Sequence, residues 1–429
     1  MAGGARFLWW IGVAAAVLLA GCAADDSAER PDTASLSKFV VLRYTSFMLD
    51  SSETASYYFD AISKFEEMNP DIRIEVDHIQ NINYTAGLKT RLLGGEQMDV
   101  FDVWSPSLFE ELRRLDAHVY LDLSKEDFLN DFLPATLEPV TKDGHVYGVP
   151  GLMHTDGFLY NKTMFQKLGL SIPRTWAEFI RLCEKLKDQG IIPIALNSEW
   201  WVPQFLFGSL MSNAGADETW TAMLEQGKVR ADHPMIIEAM SMTKEIIDRG
   251  FVPEGWEQLK YEQSRDLIGN GRAAMIVTGT WDLSELNANN SGQEIDFMMV
   301  PGVERTVPNL NIGSYKVISA NSAHPEEAKR FLAYMNGQEM QEKLANQVMA
   351  VPSVSGALLH DPIVRRIFEL VTGEEAMIYW PHIVSTESLQ LEIIDALNEY
   401  LRGADLVREL AKIQLAIDRS GNREAQPKT

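Results

Sequence analysis

The chain has 429 residues, 46% of them hydrophobic, which is enough for two domains with sizeable cores. Its formal net charge of −23 argues against a nucleic-acid backbone as partner and fits an acidic, soluble surface. Two cysteines exclude a disulfide framework, the more so because one of them, Cys22, belongs to an N-terminal processing signal.

That signal begins at Arg6 and continues as an apolar stretch over 7–20, short for a spanning helix and right for a signal-peptide core. It ends in Leu19-Ala20-Gly21-Cys22, small residues leading to a cysteine, which resembles a bacterial lipobox. The resemblance implies that 1–21 is a signal peptide and that Cys22 carries a diacylglycerol anchor to the membrane. Two or three acyl chains anchor stably where one does not. An ordinary cleaved signal with an incidental cysteine is the alternative. The polar segment 22–37, with Pro31, reads as a flexible tether with a reach of roughly 20 Å.

The next elements alternate strand and helix. An apolar run over 39–42 fits a strand covered on both faces. A helix with Tyr58, Ile62 and Phe65 inward ends at Asn69-Pro70, and Ile72, Ile74 and Val76 alternate with charges as a half-buried strand. A second helix through Leu88 and Leu92 stops at Gly94-Gly95, and 99–104 gives a third strand. This β-α-β-α-β order implies a parallel sheet with ligand-facing loops at the carboxyl ends of its strands. Those loops hold Ser46 and Phe47, Asn83 within 81–84, and Asp102 with Trp104. Their polar and aromatic mix suits a neutral polar ligand, although such residues also serve as ordinary turn chemistry.

At Tyr147-Gly148-Val149-Pro150 the residue before proline is held extended, and Gly148 and Gly151 flank it. A crossing between two lobes and a β-turn into an ordinary strand both fit. A short strand at Phe158-Leu159-Tyr160 follows. Thr175 and Glu178 then form a capping box for a helix whose buried face is Trp176, Phe179, Ile180, Cys183 and Leu186, stopping at Gly190. Trp200 and Trp201 are adjacent and cannot share a face, so at least one is exposed or held in an irregular loop. A helix over 235–248 with Ile236, Met240 and Ile247 inward is structural. A strand over 273–278 is broken by Gly279, which sets Trp281 at the strand's end, where clefts of α/β lobes form. Later, 324–337 reads as a helix with Phe331, Leu332 and Met335 buried. Two C-terminal stripes follow, Leu391-Ile394-Leu397-Leu401 and Leu406-Leu410-Ile413-Ile417.

Tyr147-Gly148-Val149-Pro150, Tyr160-Asn161-Lys162 and Pro173-Arg174-Thr175-Trp176 with Glu178-Phe179 together resemble the family 1 solute-binding proteins of bacterial ABC importers, the maltose-binding-protein-like group. The resemblance covers 39–353 well and the C-terminal segment loosely. It implies a periplasmic-binding-protein-like α/β fold, two lobes joined by a multi-strand hinge with the ligand cleft between them. The first lobe would comprise 38–149 and 313–351, the second 150–309 and 353–429. The family's tryptophan at the position of Trp281 stacks on the ligand. This chain keeps the glycine and tryptophan there, with Thr278 and Thr280 in place of the usual Asn and Pro. Its return crossing has one glycine, Gly313, then Ser314 before the aromatic Tyr315, and Val351-Pro352-Ser353 resembles a third crossing. Asp156, Tyr315, Trp380 and Gln390 complete the candidate ligand contacts with the residues named above.

Enzyme readings find little to stand on. Asp102 and Asp156 could be drawn as a glycosidase pair, but 61 acids make such pairs common. The eight histidines show no metal spacing, there is no Gly-x-Ser-x-Gly elbow, and Cys183 lies on a buried helical face. The expectation is therefore a monomeric lipid-anchored binder, with no metal and no cofactor, on the outer face of a bacterial cell membrane. It would take a carbohydrate of oligosaccharide size and deliver it to permease subunits; the physical case for a sugar is aromatic faces for its C–H surfaces alongside polar groups for its hydroxyls. A polyamine or peptide binder, and a secreted glycan-active enzyme, are the alternatives.

Overall fold

In the computed structural model, which describes residues 39–49, 52–288 and 292–424, the signal peptide, Cys22 and the tether fall outside the described residues. The first-lobe sheet has five strands in the order Ile72–His78, Val40–Ser46, Val100–Val103, Tyr315–Ile318, Val149–Pro150. Its first three strands are parallel, as the alternating order requires; Tyr315–Ile318 joins them antiparallel, and Val149–Pro150 pairs antiparallel with it and so runs in the direction of the first three. The run over 39–42 is covered on one face only: Phe39 and Val41 remain 48% and 45% exposed. Val100–Val103 pairs with its neighbour only from Tyr44 onward, so the start of the strand projects past it. The Arg73 guanidinium covers part of the Phe39 ring at 4.7 Å.

The helices Ser52–Met68 and Pro325–Asn336 seal this sheet, one from before the crossings and one from after them. Phe331 sits edge-on to Phe65 at 5.2 Å and to Tyr44 at 5.6 Å. The segment 81–84 is not a loop: it forms the first turn of the helix Asn81–Gly94, and Tyr84 is buried there. Its hydroxyl donates to the Thr45 and Asp102 carbonyls, which draws the helix start onto the strand ends.

The second-lobe sheet runs Ile295–Met298, Asp156–Asn161, Ala273–Gly279, Ile192–Ile194. Every residue of its two central strands is buried. The helix Trp176–Asp188 packs against it with all five expected side chains inward. Thr175 Oγ1 accepts from Glu178 N, but the Glu178 carboxylate returns its bond to the Arg174 amide rather than to Thr175. The motif is thus an N-cap with a displaced return, because the extended entry from Pro173 leaves the preceding amide free. Burial pushes the Cys183 thiol well above its ordinary pKa, as an inert core cysteine requires. In the helix Pro234–Asp248 it is Ile246, not Ile247, that is fully buried.

Between the sheets the stretch from Val149 is a crossing. Val149–Pro150 belongs to the first-lobe sheet, Met153–His154 to a three-stranded sheet with Asn309–Ile312 and Met377–Ile378, and Asp156–Asn161 to the second lobe. The outgoing and returning chains stay in one antiparallel register throughout. Val149 faces Lys316 and Pro150 faces Tyr315. The Gly151 amide donates to Ser314 O at 2.8 Å, and the Gly313 amide to Leu152 O at 3.1 Å. Met153 then faces Ile312, and His154 faces Asn311. Val351 bridges Met153 from the other side as a third crossing. At Gly148 a Cβ would stand 2.9 Å from Val317 Cγ1, so the glycine is required by close approach.

The C-terminal helices Glu387–Leu401 and Leu406–Glu424 pack on the second-lobe core through Leu397, Leu401, Leu410, Ile413 and Ile417, and Ile394 is buried as well. Leu391 departs from the expected stripe and is exposed. Gln390 takes the inward place at that turn, where its amide bonds to Ser107 Oγ and to Pro381 O.

Candidate functional site

Trp281 follows the buried strand Ala273–Gly279, within the turn Thr280–Asp282, and is half-buried. Around it the helices Val202–Ala214 and Tyr261–Gly269 bring Phe205 and Tyr261, and the hinge strand brings His154. Phe205 and His154 meet the indole edge-on, with centroids 5.4 Å and 5.5 Å away. Trp201, also half-buried, stands edge-on to Tyr261 at 4.9 Å and to Phe205 at 5.5 Å. Trp200 is 44% exposed, so the two adjacent indoles do separate. Its carbonyl accepts from Asn398 Nδ2 at 2.8 Å.

The tryptophans of this aromatic group stand out in the sequence; Phe205, Tyr261 and His154 do not. Tyr261 is the first residue of its helix, and Phe205 lies on a helix buried nearly all round. Neither carries a local signal, because what places them beside Trp281 is the packing of helices on the sheet. The only available hint for His154 was its position four residues past Pro150 in the crossing.

Two strands of the hinge add polar groups. The Asn311 amide donates to both oxygens of Asp156, at 3.2 Å and 3.1 Å. Burial nevertheless pushes the Asp156 pKa up to about 8, with the Asn311 bond opposing. Burial lowers the His154 pKa to about 4, so its imidazole is neutral at pH 7. His154 Nδ1 and Thr155 Oγ1 are buried without a hydrogen-bond partner among the described residues.

On the first lobe, Phe47 and Trp104 are partly exposed at the strand ends. Phe47 leans edge-on against Tyr84 at 5.0 Å, and Trp104 Nε1 donates to Thr85 Oγ1 at 2.9 Å. Asn83 is exposed one residue before Tyr84. Ser46 and Asp102 are fully buried and bond to each other at 2.5 Å. Tyr44 Oη also donates to Asp102, and Lys316 Nζ lies 3.3 Å from it. Burial alone would lower the Lys316 pKa; the Asp102 carboxylate and Tyr58 hydroxyl outweigh it and hold the ammonium above its ordinary value. Asp102 is thereby engaged within the lobe. Tyr315 is buried in the ladder beside Val103 and Pro150.

Trp380 lies inside the second lobe, edge-on to Phe207 at 5.6 Å, with its N–H donating to Thr221 Oγ1 at 3.0 Å. Gln390 instead spans the lobes through Ser107, and Lys89 reaches across to Glu387 at 2.6 Å. Among the described residues no three His, Cys, Asp or Glu side chains gather as a metal site would require.

Residues 50–342 match the family model of the bacterial extracellular solute-binding proteins. A multiple sugar-binding protein of Streptococcus mutans is 26% identical over 291 residues, which cover 66% of this chain and 68% of that one. An uncharacterised ABC transporter extracellular-binding protein of Pyrococcus horikoshii is 24% identical over 367 residues, 82% of this chain and 80% of its own. Among solved structures, a chitin oligosaccharide binding protein superposes with a TM-score of 0.80 at 21% identity, over 90% of this chain and all of that one; this likeness speaks to the fold. The family match takes in the first-lobe strands from Ile72 onward, the whole outgoing crossing and Trp281, so the chain belongs to the bacterial extracellular solute-binding proteins and is a binder, not an enzyme.

Proposed function

We propose that this chain captures a carbohydrate of oligosaccharide size between its two lobes and delivers it to the permease subunits of an ABC importer. The observation that carries the reading is the half-exposed Trp281 at the end of a central second-lobe strand, with Trp201 and Tyr261 beside it. Flat aromatic faces match the C–H surfaces of sugar rings, and polar groups at the rim match hydroxyls. In this reading Phe47 and Trp104, partly exposed at the first-lobe strand ends, supply the opposing wall. The named relatives agree in class: one is a multiple sugar-binding protein, and one structural neighbour binds chitin oligosaccharides.

A polyamine would need uncompensated acids. Here Asp102 is already paired with Lys316, and burial favours the neutral form of Asp156 at pH 7. Both points favour an uncharged ligand. In this reading 38–149 with 313–351 form the first lobe and 150–309 with 353–429 the second, and the protein works as a monomer held to the membrane by lipid on Cys22.

A thermal-shift panel of raffinose, maltotriose, chitotriose, spermidine and a tripeptide tests the ligand class. A ligand at 100 times its dissociation constant stabilises by about 2.7 kcal/mol. For a protein of this size that is a rise of several degrees. We expect it from at least one oligosaccharide and not from spermidine or the peptide. Stabilisation by spermidine alone would replace the sugar reading with a polyamine one.

A further inference from the structure

The polar groups around Trp281 form a directed chain. An indole N–H can only donate, and that of Trp281 donates to Tyr261 Oη at 3.2 Å. The Tyr261 hydroxyl donates in turn to the Asp282 carboxylate. Thr278 Oγ1 donates to the same Asp282 oxygen at 2.7 Å and lies 2.6 Å from Tyr261 Oη. Arg265 stands 3.5 Å from the other Asp282 oxygen and also pairs with Glu285. Asp282 is the residue after Trp281, so the chain of bonds leaves the indole and returns to its own backbone.

Space constrains the ring independently. A Cβ at position 279 would stand 2.0 Å from Trp281 Cζ3 and 2.3 Å from its Cη2. The six-membered ring therefore lies over Gly279, whose φ of −107° any residue could adopt. The glycine is there to make room for the indole. Phe205 and His154 close on its edges. An unpinned, half-exposed indole would lose rotamer freedom each time a ring stacked on it; one pinned in advance would not.

We infer that Tyr261 is the positioning residue for the Trp281 indole, fixing it as a preorganised stacking surface for a sugar ring and acting through Trp281 alone. The inference rests on the reading of Trp281 as the sugar platform, and its test separates the two. Tyr261→Phe keeps the ring and removes the one atom that accepts from the indole.

Its first readout needs no ligand. In ¹⁵N-tryptophan spectra the Trp281 indole N–H is identified by its loss in Trp281→Ala, and its solvent exchange is measured. We expect Tyr261→Phe to raise that exchange rate at least tenfold and shift the resonance, with the other indole signals in place. An unchanged rate and shift would overturn the inference, and loss of dispersion in all indole signals would reveal a folding defect. In that event Thr278→Val, which leaves the acceptor intact, must leave the exchange rate within a factor of three of wild type. A tenfold rise there would show that the whole turn, and not Tyr261, holds the ring.

The second readout is calorimetric affinity for raffinose, maltotriose and chitotriose. Trp281→Ala is expected to weaken binding at least tenfold, Tyr261→Phe threefold to tenfold, and the double variant no more than Trp281→Ala. If Trp281→Ala binds as wild type, the platform reading fails. If Trp281→Ala weakens binding but Tyr261→Phe costs the same with and without the indole, the platform stands and the positioning role falls.

Discussion

Asp156 shows how burial at one residue in the hinge becomes a property of the whole fold. Its folded pKa of about 8 lies above the ordinary carboxylate value, because burial penalises the charged form more than the Asn311 amide stabilises it. The group therefore contributes stability that is fully present below about pH 4 and is lost as pH rises toward 8, the unfolded chain binding fewer protons in that window. Urea unfolding at pH 5, 6 and 7 should show wild type losing up to about 1.4 kcal/mol per pH unit relative to Asp156→Asn. Parallel profiles would mean that Asp156 does not titrate with folding. His154 and His382, both lowered to about 4 by burial, destabilise in the opposite direction below about pH 6.5 and are common to both chains, so the difference isolates Asp156. Residues of this kind are only partly legible in a sequence. Trp281 stands out because a tryptophan two places after a strand-breaking glycine has little core to enter. Trp380 carries the same side chain into the second-lobe interior, where Thr221 satisfies its N–H, and nothing adjacent to it in the chain announces that.

At the scale of elements, the crossings form a two-stranded ribbon from Val149–Lys316 to His154–Asn311, with Val351 added at Met153. A ribbon in a single register resists slipping of one strand past the other, so bending is its soft motion. Lobe closure is then a hinge rotation. Small-angle scattering of the protein with a saturating oligosaccharide from the thermal-shift panel should give a smaller radius of gyration than without it. An unchanged radius would argue against closure on ligand. The crossing is half-legible in the sequence: Val149-Pro150 has to be extended, but whether it leads to a turn or to another lobe depends on the returning strand, which meets Pro150 from 165 residues further on. Periodicity located the helices well, since an amphipathic face is a local property. It missed the exposed Leu391 because Gln390, a polar residue, was drawn inward by Ser107 of the other lobe. The polar 81–84 likewise reads as a loop, whereas Tyr84 anchors a helix start there through bonds to Thr45 and Asp102.

Taken whole, the chain is acidic, with a net charge of −23, and its N-terminal segment through Cys22 resembles a lipoprotein signal. Such a charge keeps the body soluble and gives it no attraction to an anionic membrane surface. On the proposed reading, attachment comes from lipid on Cys22 instead. Replacing Cys22 with Ser should move the protein from the membrane fraction into the medium or leave it unprocessed, as fractionation and immunoblotting would show. A Cys22→Ser chain that still sediments with membranes as wild type does would rule out the anchor.

The pairing of Asp102 with Lys316 has a consequence for how the molecule comes into being. The two groups face each other across neighbouring strands, yet the entire outgoing second-lobe segment separates them in the chain. During synthesis, which proceeds from the N-terminus, the first three strands are complete long before Lys316 exists. Until it arrives, the buried seat of Asp102 lacks its counter-charge, and that strand presents an open edge to solvent and to other chains. The first lobe is therefore begun first, yet its sheet stays incomplete until the second-lobe strands between Pro150 and Tyr315 have been made. A nascent chain halted before residue 315 is missing a strand from the interior of its own sheet, so a chaperone that delays collapse would act on this lobe first.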